Sequence, residues 1–266
     1  VTRFMLERAR LSHPHGPRLH PIAAASVGLK GEEMAPLAEL KDAGCAAVSN
    51  DGRPLENAEL LRRIMEYAAD LDLTFIDHCE DPRLGRGWLM NEGTVSGLLG
   101  VRGQPDVGEA VQAARDIMLA EYLHLPAHIA HVSSELTVDV IVWGKARGVK
   151  VSAETCPHYL LLDESVLEGY NTAAKVSPPL RRPEDREALR RAVKDGTIDI
   201  LATDHAPHAA HEKEDTLDEA PCGFTGLDLA VSLTWGLVRE GVLSEADLQR
   251  LWCRAPAEIF HLPWNG

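Results

Sequence analysis

The stretch DILATDHAPH, residues 199–208, decides how the chain is read. An apolar run ends abruptly in Asp204 and His205, with His208 just beyond. A short run that is apolar on both faces reads as a buried parallel strand. Its polar groups then stand at the C-terminal end of that strand. Similar runs occupy residues 20–26, 46–51, 73–80, 127–133 and 149–156, with the present one at 198–204. Helical patterns separate them, at 33–43, 56–70, 107–123, 134–147 and 183–195. Gly44, Gly148 and Gly196 fall just past three of these helices, where a left-handed cap is common.

Repeated strand-then-helix order implies a parallel sheet, in a barrel or a doubly wound layer. Two features favour the barrel. Polar residues recur at the strand ends: Asp51, His78, His131, Glu154 and Asp204. A (β/α)₈ barrel draws its catalytic groups from the ends of several strands on one face. No GxGxxG follows a first strand, so a dinucleotide fold lacks support. Six runs are visible where a complete barrel needs eight. The expected class is therefore a TIM-like α/β barrel with about six of its eight units, in one domain over residues 1–266.

Composition narrows the partners. The chain has 266 residues, 45% hydrophobic, so a large core is possible. Its formal net charge of -14 argues against nucleic acid and against an anionic membrane surface. An anionic substrate would need local positive charge from a side chain or a metal. Five cysteines without a CxxC read as reduced thiols in a cytoplasmic protein. No apolar run reaches 18 residues. Phe4, Met5 and Leu11 in residues 1–16 read as the end of a helix without signal-peptide character.

His78, His131 and Asp204 each follow apolar residues at a strand end. One such histidine is usually a hydrogen-bonded core residue. Three converging strand ends would instead bring two imidazoles and a carboxylate together, a donor set suited to zinc or a similar divalent ion. Asp51 adds a second carboxylate, although Asp51-Gly52 is also a plain turn signal.

The segments SNDGRP (49–54), IDHCEDPRLGRGWLMNEG (76–93), IAHVSS (129–134), ETCPHYL (154–160), KVSPPLR (175–181) and ATDHAPH (202–208) occur in the order seen in class I dihydroorotases of the amidohydrolase superfamily. The chain resembles that family over nearly its whole length. The resemblance implies that Asp51 bridges two metal ions, that His78 and His131 ligate one of them, and that Asp204 contacts the other and moves protons as general base and then acid. It implies that His208 helps hold the substrate carboxylate and that backbone around Cys222 and Gly223 meets the ring. Ser177 stands where the family often has Asn, and would make a shorter-reaching contact. The implied cofactor is zinc, one or two ions per complete protein. The implied reaction is reversible hydrolysis of the cyclic amide of dihydroorotate to carbamoyl aspartate, in pyrimidine synthesis. A cyclic amide resists neutral water, and a divalent ion lowers the pKa of bound water to about 7.

The sequence also departs from the family. The first-strand DxHxHxR and second-strand PNT motifs are not found, and His13-Pro14-His15 reads as loop. The end at Leu262-Pro-Trp-Asn-Gly266 precedes the family's small β domain. The expectation is a core of a longer protein, with little or no activity alone. Hydantoinases and allantoinases share the barrel but typically bridge their metals with a carboxylated Lys, where this chain has Asp51. The non-enzyme alternative is an inactive scaffold for aspartate transcarbamoylase. Four retained polar strand ends weigh against it, and against a purely structural module. The expected partners are a small-molecule substrate, further copies of the chain and aspartate transcarbamoylase. His205 and His158 are expected to support the site without binding metal, and residues 205–223 to form a mobile flap.

Overall fold

The computed structural model describes residues 1–263, so the end of the expected 1–266 domain lies outside the described residues. Its strands are β1 (Ile22–Ala24), β2 (Ala47–Ser49), β3 (Thr74–Asp77), β4 (Met90–Asn91), β5 (Gly103–Gln104), β6 (Ala127–Ile129), β7 (Val151–Thr155) and β8 (Ile200–Leu201). Six form one parallel sheet in the order β1-β2-β3-β6-β7-β8. These are the six runs expected, each within its expected span. The ladders are shorter than the runs. The residues after each paired segment leave the sheet to build the rim, as His78, Cys79 and Glu80 do after β3. β4 and β5 pair as a separate small sheet that apolar patterning did not indicate.

Burial differs from strand to strand. β2, β3 and β6 are buried throughout. β7 alternates, with Ser152 and Glu154 less buried than Val151, Ala153 and Thr155. Ile22 on edge strand β1 is exposed, whereas the other edge strand, β8, is buried.

The helices begin with α1 (Thr2–Ser12), α2 (Leu37–Asp42), α3 (Ala58–Asp70), α4 (Thr94–Leu99), α5 (Val107–Leu123) and α6 (Glu135–Ala146). They continue with α7 (Pro157–Leu161), α8 (Pro183–Asp195), α9 (Ala210–Lys213), α10 (Ala230–Arg239), α11 (Glu245–Gln249) and α12 (Ala255–Ile259). α3 shows why they form. Asn57 Oδ1 accepts from the Glu59 and Leu60 N–H groups at its start, a cap worth about 1 kcal/mol. Leu60, Leu61, Ile64, Met65 and Ala68 make its buried stripe. Each large side chain buried there contributes about 1.5–3 kcal/mol. α8 starts at Pro183 and ends at Gly196, whose φ of 85° suits only a residue without Cβ strain.

The main core holds the sheet against these helices, and includes Val48, Ile64, Ile117, Ile129, Ile141 and Leu189. A second small cluster of Ala47, Ile76 and Ala130 packs on Phe260 inside the curve of the sheet. Strands inside, helices outside and short C-terminal strand ends give six β/α units of a TIM-like barrel. None of the helices among the described residues is long and apolar enough to cross a membrane.

Candidate metal centre

β2, β3 and β6 are sheet neighbours, so the loops leaving their C-terminal ends meet. Asp51, His78 and His131 lie on those loops. His78 Nδ1 is 2.8 Å from His131 Nε2. Asp51 Oδ1 is 3.1 Å from His131 Nε2 and 3.5 Å from His78 Nδ1. One atom from each residue falls within 4.8 Å of the other two. Both rings are buried, whereas the Asp51 side chain is 60% exposed and reaches in from the solvent side. Its turn is set from behind. Asn50 Oδ1 accepts from the backbone N–H and hydroxyl of Ser26, and Ser49 Oγ accepts from the Asp51 N–H.

The charges in this group support each other. Burial works against a charged His78, but hydrogen bonds to Asp51 and Glu80 outweigh it, and the ring titrates at about 10. For His131, burial and the His78 charge oppose protonation, yet Asp51 and Asp204 lift it above its ordinary value. Loss of water would raise Asp51, but the two histidines hold it well below the usual carboxylate range. Two ring nitrogens and a carboxylate oxygen crowded together in this way need protons or a cation between them. The donor set is one that a divalent metal accepts.

Asp204 stands three residues past β8, with φ of 44°. It falls outside the close group of three, but shares a cleft of about 660 Å³ with Asp51, His131, Glu154, Thr203 and Phe260. Burial lifts its carboxyl above the usual range, opposed by His131 and helped by Asp51. A larger groove of about 1320 Å³ lies elsewhere, along α11 and α12 near Asp199. It sits at the N-terminal end of β8. Its arginines are already matched, Arg254 to Glu258 at 2.8 Å and Arg250 to Asp247 at 3.9 Å. The cleft beside Asp51 and His131 is at the strand end where barrel enzymes place their chemistry.

The other expected residues gather in one loop layer. His208 Nε2–H donates to the Cys222 carbonyl at 3.0 Å. The Gly223 N–H donates to the Lys175 carbonyl at 3.0 Å. Gly223 has φ of 143°, and a Cβ there would sit 2.4 Å from the Ala206 oxygen, so no larger residue fits. Lys175, 6% exposed, donates from Nζ to the carbonyls of Leu217 and Ala220 at 2.6 and 2.7 Å. The segment expected to be a mobile flap is thus tied to the barrel at several points. Ser177 Oγ is 3.4 Å from Glu80 Oε2. Tyr159 donates to the neighbouring Pro178 carbonyl at 2.6 Å.

His205 accepts at Nδ1 from the Gly226 and Leu227 N–H groups. His158 is buried between Tyr159 and Phe224, at ring distances of 4.2 and 5.0 Å. His13 and His15 lie in an exposed loop after α1. The sequence reading missed Glu80 and Lys175. Glu80 was visible as an acid two residues after His78 in His78-Cys79-Glu80. Lys175 carried no local signal, because its partners lie 42 and 45 residues away.

The comparisons with known proteins bear on the family and the fold. A family model described as Dihydro-orotase-like matches residues 4–136. The dihydroorotase of Desulforapulum autotrophicum is 44% identical over 262 residues, covering 98% of this chain and 61% of that protein. The dihydroorotase of Ruminiclostridium cellulolyticum is 51% identical over 244 residues, covering 91% and 57%. The chain therefore spans less than two thirds of these curated relatives. Among solved structures, the L-hydantoinase (dihydropyrimidinase) of Arthrobacter aurescens superposes with a TM-score of 0.79 at 23% identity, covering 91% of this chain and 56% of that one. That likeness concerns the fold.

Proposed function

Since the chain belongs to the dihydroorotase-like family, we propose that it carries the metal-holding part of a cyclic-amide hydrolase acting on dihydroorotate and carbamoyl aspartate. The observation that supports this most is the meeting of Asp51, His78 and His131 at the edge of a cleft that Asp51 and His131 share with Asp204. Zinc is the ion proposed for it, as the usual partner of His and carboxylate donors in hydrolytic sites. Such an ion supplies a nucleophile at neutral pH and polarises the amide carbonyl.

The chain's own residues do the rest. Asp51, His78 and His131 hold the ion. Asp204, with its raised pKa, accepts a proton on attack and returns it to the departing ring nitrogen. His208 helps hold the substrate carboxylate, the backbone of Cys222 and Gly223 meets the neutral ring, and Ser177 contacts its edge. Identities of 44–51% to dihydroorotases, against 20–23% to the hydantoinases, favour dihydroorotate over hydantoin. The five free thiols fit a reducing, cytoplasmic setting.

The test pairs metal content with turnover in one preparation of the chain and in the gene product that contains it. We expect bound zinc in both, and hydrolysis of dihydroorotate in preference to hydantoin in the gene product. Absence of bound metal, or a preference for hydantoin, would overturn the reading.

A further inference from the structure

His78 faces two ways. Its Nδ1 looks toward Asp51 and His131, and its Nε2 lies 3.1 Å from Glu80 Oε2. The Glu80 side chain is only 14% exposed, and its position is itself determined. The Trp88 indole N–H donates to Glu80 Oε1 at 2.9 Å. The Ser177 hydroxyl approaches Glu80 Oε2 at 3.4 Å, from a segment 97 residues away. Both carboxylate oxygens therefore have partners, and those partners come from separate loops.

An ionised carboxylate only accepts hydrogen bonds. Against Glu80, His78 must present Nε2–H. The remaining nitrogen, Nδ1, is then the one that can lose its proton and offer a lone pair to an ion. A ring turned over about its χ2 axis would point a carbon where Nδ1 now stands. Without the carboxylate, the ring also loses the acceptor that keeps Nδ1, rather than Nε2, as the free donor atom. A carboxylate placed behind a ligating imidazole fixes ring orientation and raises ligand basicity.

We propose that Glu80 is a positioning residue, clamped by Trp88, that aims His78 Nδ1 into the group formed with Asp51 and His131. The proposal rests on the metal reading of that group. Trp88 is the rigid half of the device, since its indole N–H can only donate and so cannot replace Glu80 at His78. Ser177 adds a contact between this clamp and the layer that carries Gly223.

The test measures cobalt(II) and zinc affinity by competition with a chelator in the 266-residue chain. The variants are Glu80→Gln, which keeps the shape, and Glu80→Met, which removes the acceptor. We expect Glu80→Met to weaken metal binding by about 10–100-fold and Glu80→Gln by about 10-fold. Far-UV circular dichroism should be unchanged. Imidazole nitrogen NMR of the zinc-loaded wild type should show His78 ligating through Nδ1 with a proton on Nε2, and a mixture of ligating nitrogens in Glu80→Met. If Glu80→Met misfolds, Glu80→Gln and the wild-type spectrum still decide the matter. Wild type that binds zinc through His78 Nε2, or variants that bind within about threefold of it, would reject the role of Glu80 alone. Wild type that binds no metal would reject the metal reading, and the proposal with it.

Discussion

Two groups of potential metal ligands stand back to back at the end of β3. One is Asp51, His78 and His131, and the other is Asp77, Cys79 and Asp116. Each offers three donor atoms within 4.8 Å of one another. Their contacts separate them, since His78 meets Asp51 and His131 whereas its neighbours Asp77 and Cys79 meet Gln112 and Asp116 of α5. The difference lies in what already balances their charge. On the α5 side, the Arg115 guanidinium is 2.7 Å from Asp116 and 3.5 Å from Asp77. The Gln112 amide donates to Asp77 at 3.0 Å. Burial and the neighbouring Asp77 push the Asp116 carboxyl well up, and burial does the same for the Cys79 thiol. That group has its cation built in and its thiol protonated. On the cleft side, no Arg or Lys joins the three ligands among the described residues, and the carboxylate there reaches solvent. Ligand count alone does not make a metal site. The absence of a resident cation and a path to the cleft distinguish the two.

The sharpest way to break this comparison is to remove the resident cation. Arg115→Met should destabilise the protein by about 3–5 kcal/mol, because it leaves buried carboxyls unmatched. Urea unfolding of the metal-free chain measures this. A loss below about 1 kcal/mol would mean that Arg115 does not balance the group, and the α5 side would have to be reconsidered as a metal site.

His158 gives a third case, a buried polar ring with no counter-charge. Burial first, and the nearby His131 charge second, lower it to about 3 from the ordinary 6.5. Its Nε2 is buried without a partner among the described residues. The folded ring stays neutral while the unfolded ring takes up a proton below pH 6.5. Stability from this group is therefore complete above pH 6.5 and is lost as pH falls toward 3. Between pH 6.5 and 4 the loss is about 3 kcal/mol. Unfolding curves of wild type and His158→Phe at both pH values should differ in slope by that amount. Parallel curves would show that His158 finds a proton acceptor on folding.

Metal titration gives the smallest effects and the cleanest contrast. His131→Ala should weaken zinc binding by at least about 100-fold, and Cys79→Ala by no more than about threefold. Equal losses in the two variants would erase the distinction between the two sides of β3.

Much of this arrangement was legible in the chain. The six sheet strands were visible because buried parallel strands are continuous apolar runs, and α5 and α8 match their expected spans to the residue. The small β4–β5 sheet was not visible, because two-residue strands carry no period. It is held by Arg181, which donates to Asn91 Oδ1 and to the Gln104 carbonyl, both far away in sequence. The helices after Asp204, α9 to α12, also fell outside the sequence reading. Asp51, His78 and His131 were legible as polar ends on apolar runs, and the structure brings them together. Asp204, named with them, stands across the same cleft and apart from the close group. His208, Cys222 and Gly223 share a layer, but their contacts are largely made by backbone groups, which residue identity does not reveal.

By itself the sequence determined which donors exist, in what order, and at the ends of which strands. Hydrophobic periodicity and strand alternation are local properties, so they can be read from a short window. Only the tertiary structure decided which donors are free to take an ion and which are already paired. Arg115 reaches Asp77 across 38 residues, and Ser177 reaches Glu80 across 97. Those partners are chosen by how α5 and the loops pack on the sheet, and charge balance at a buried site depends on every group within a few ångströms, however far apart in the chain.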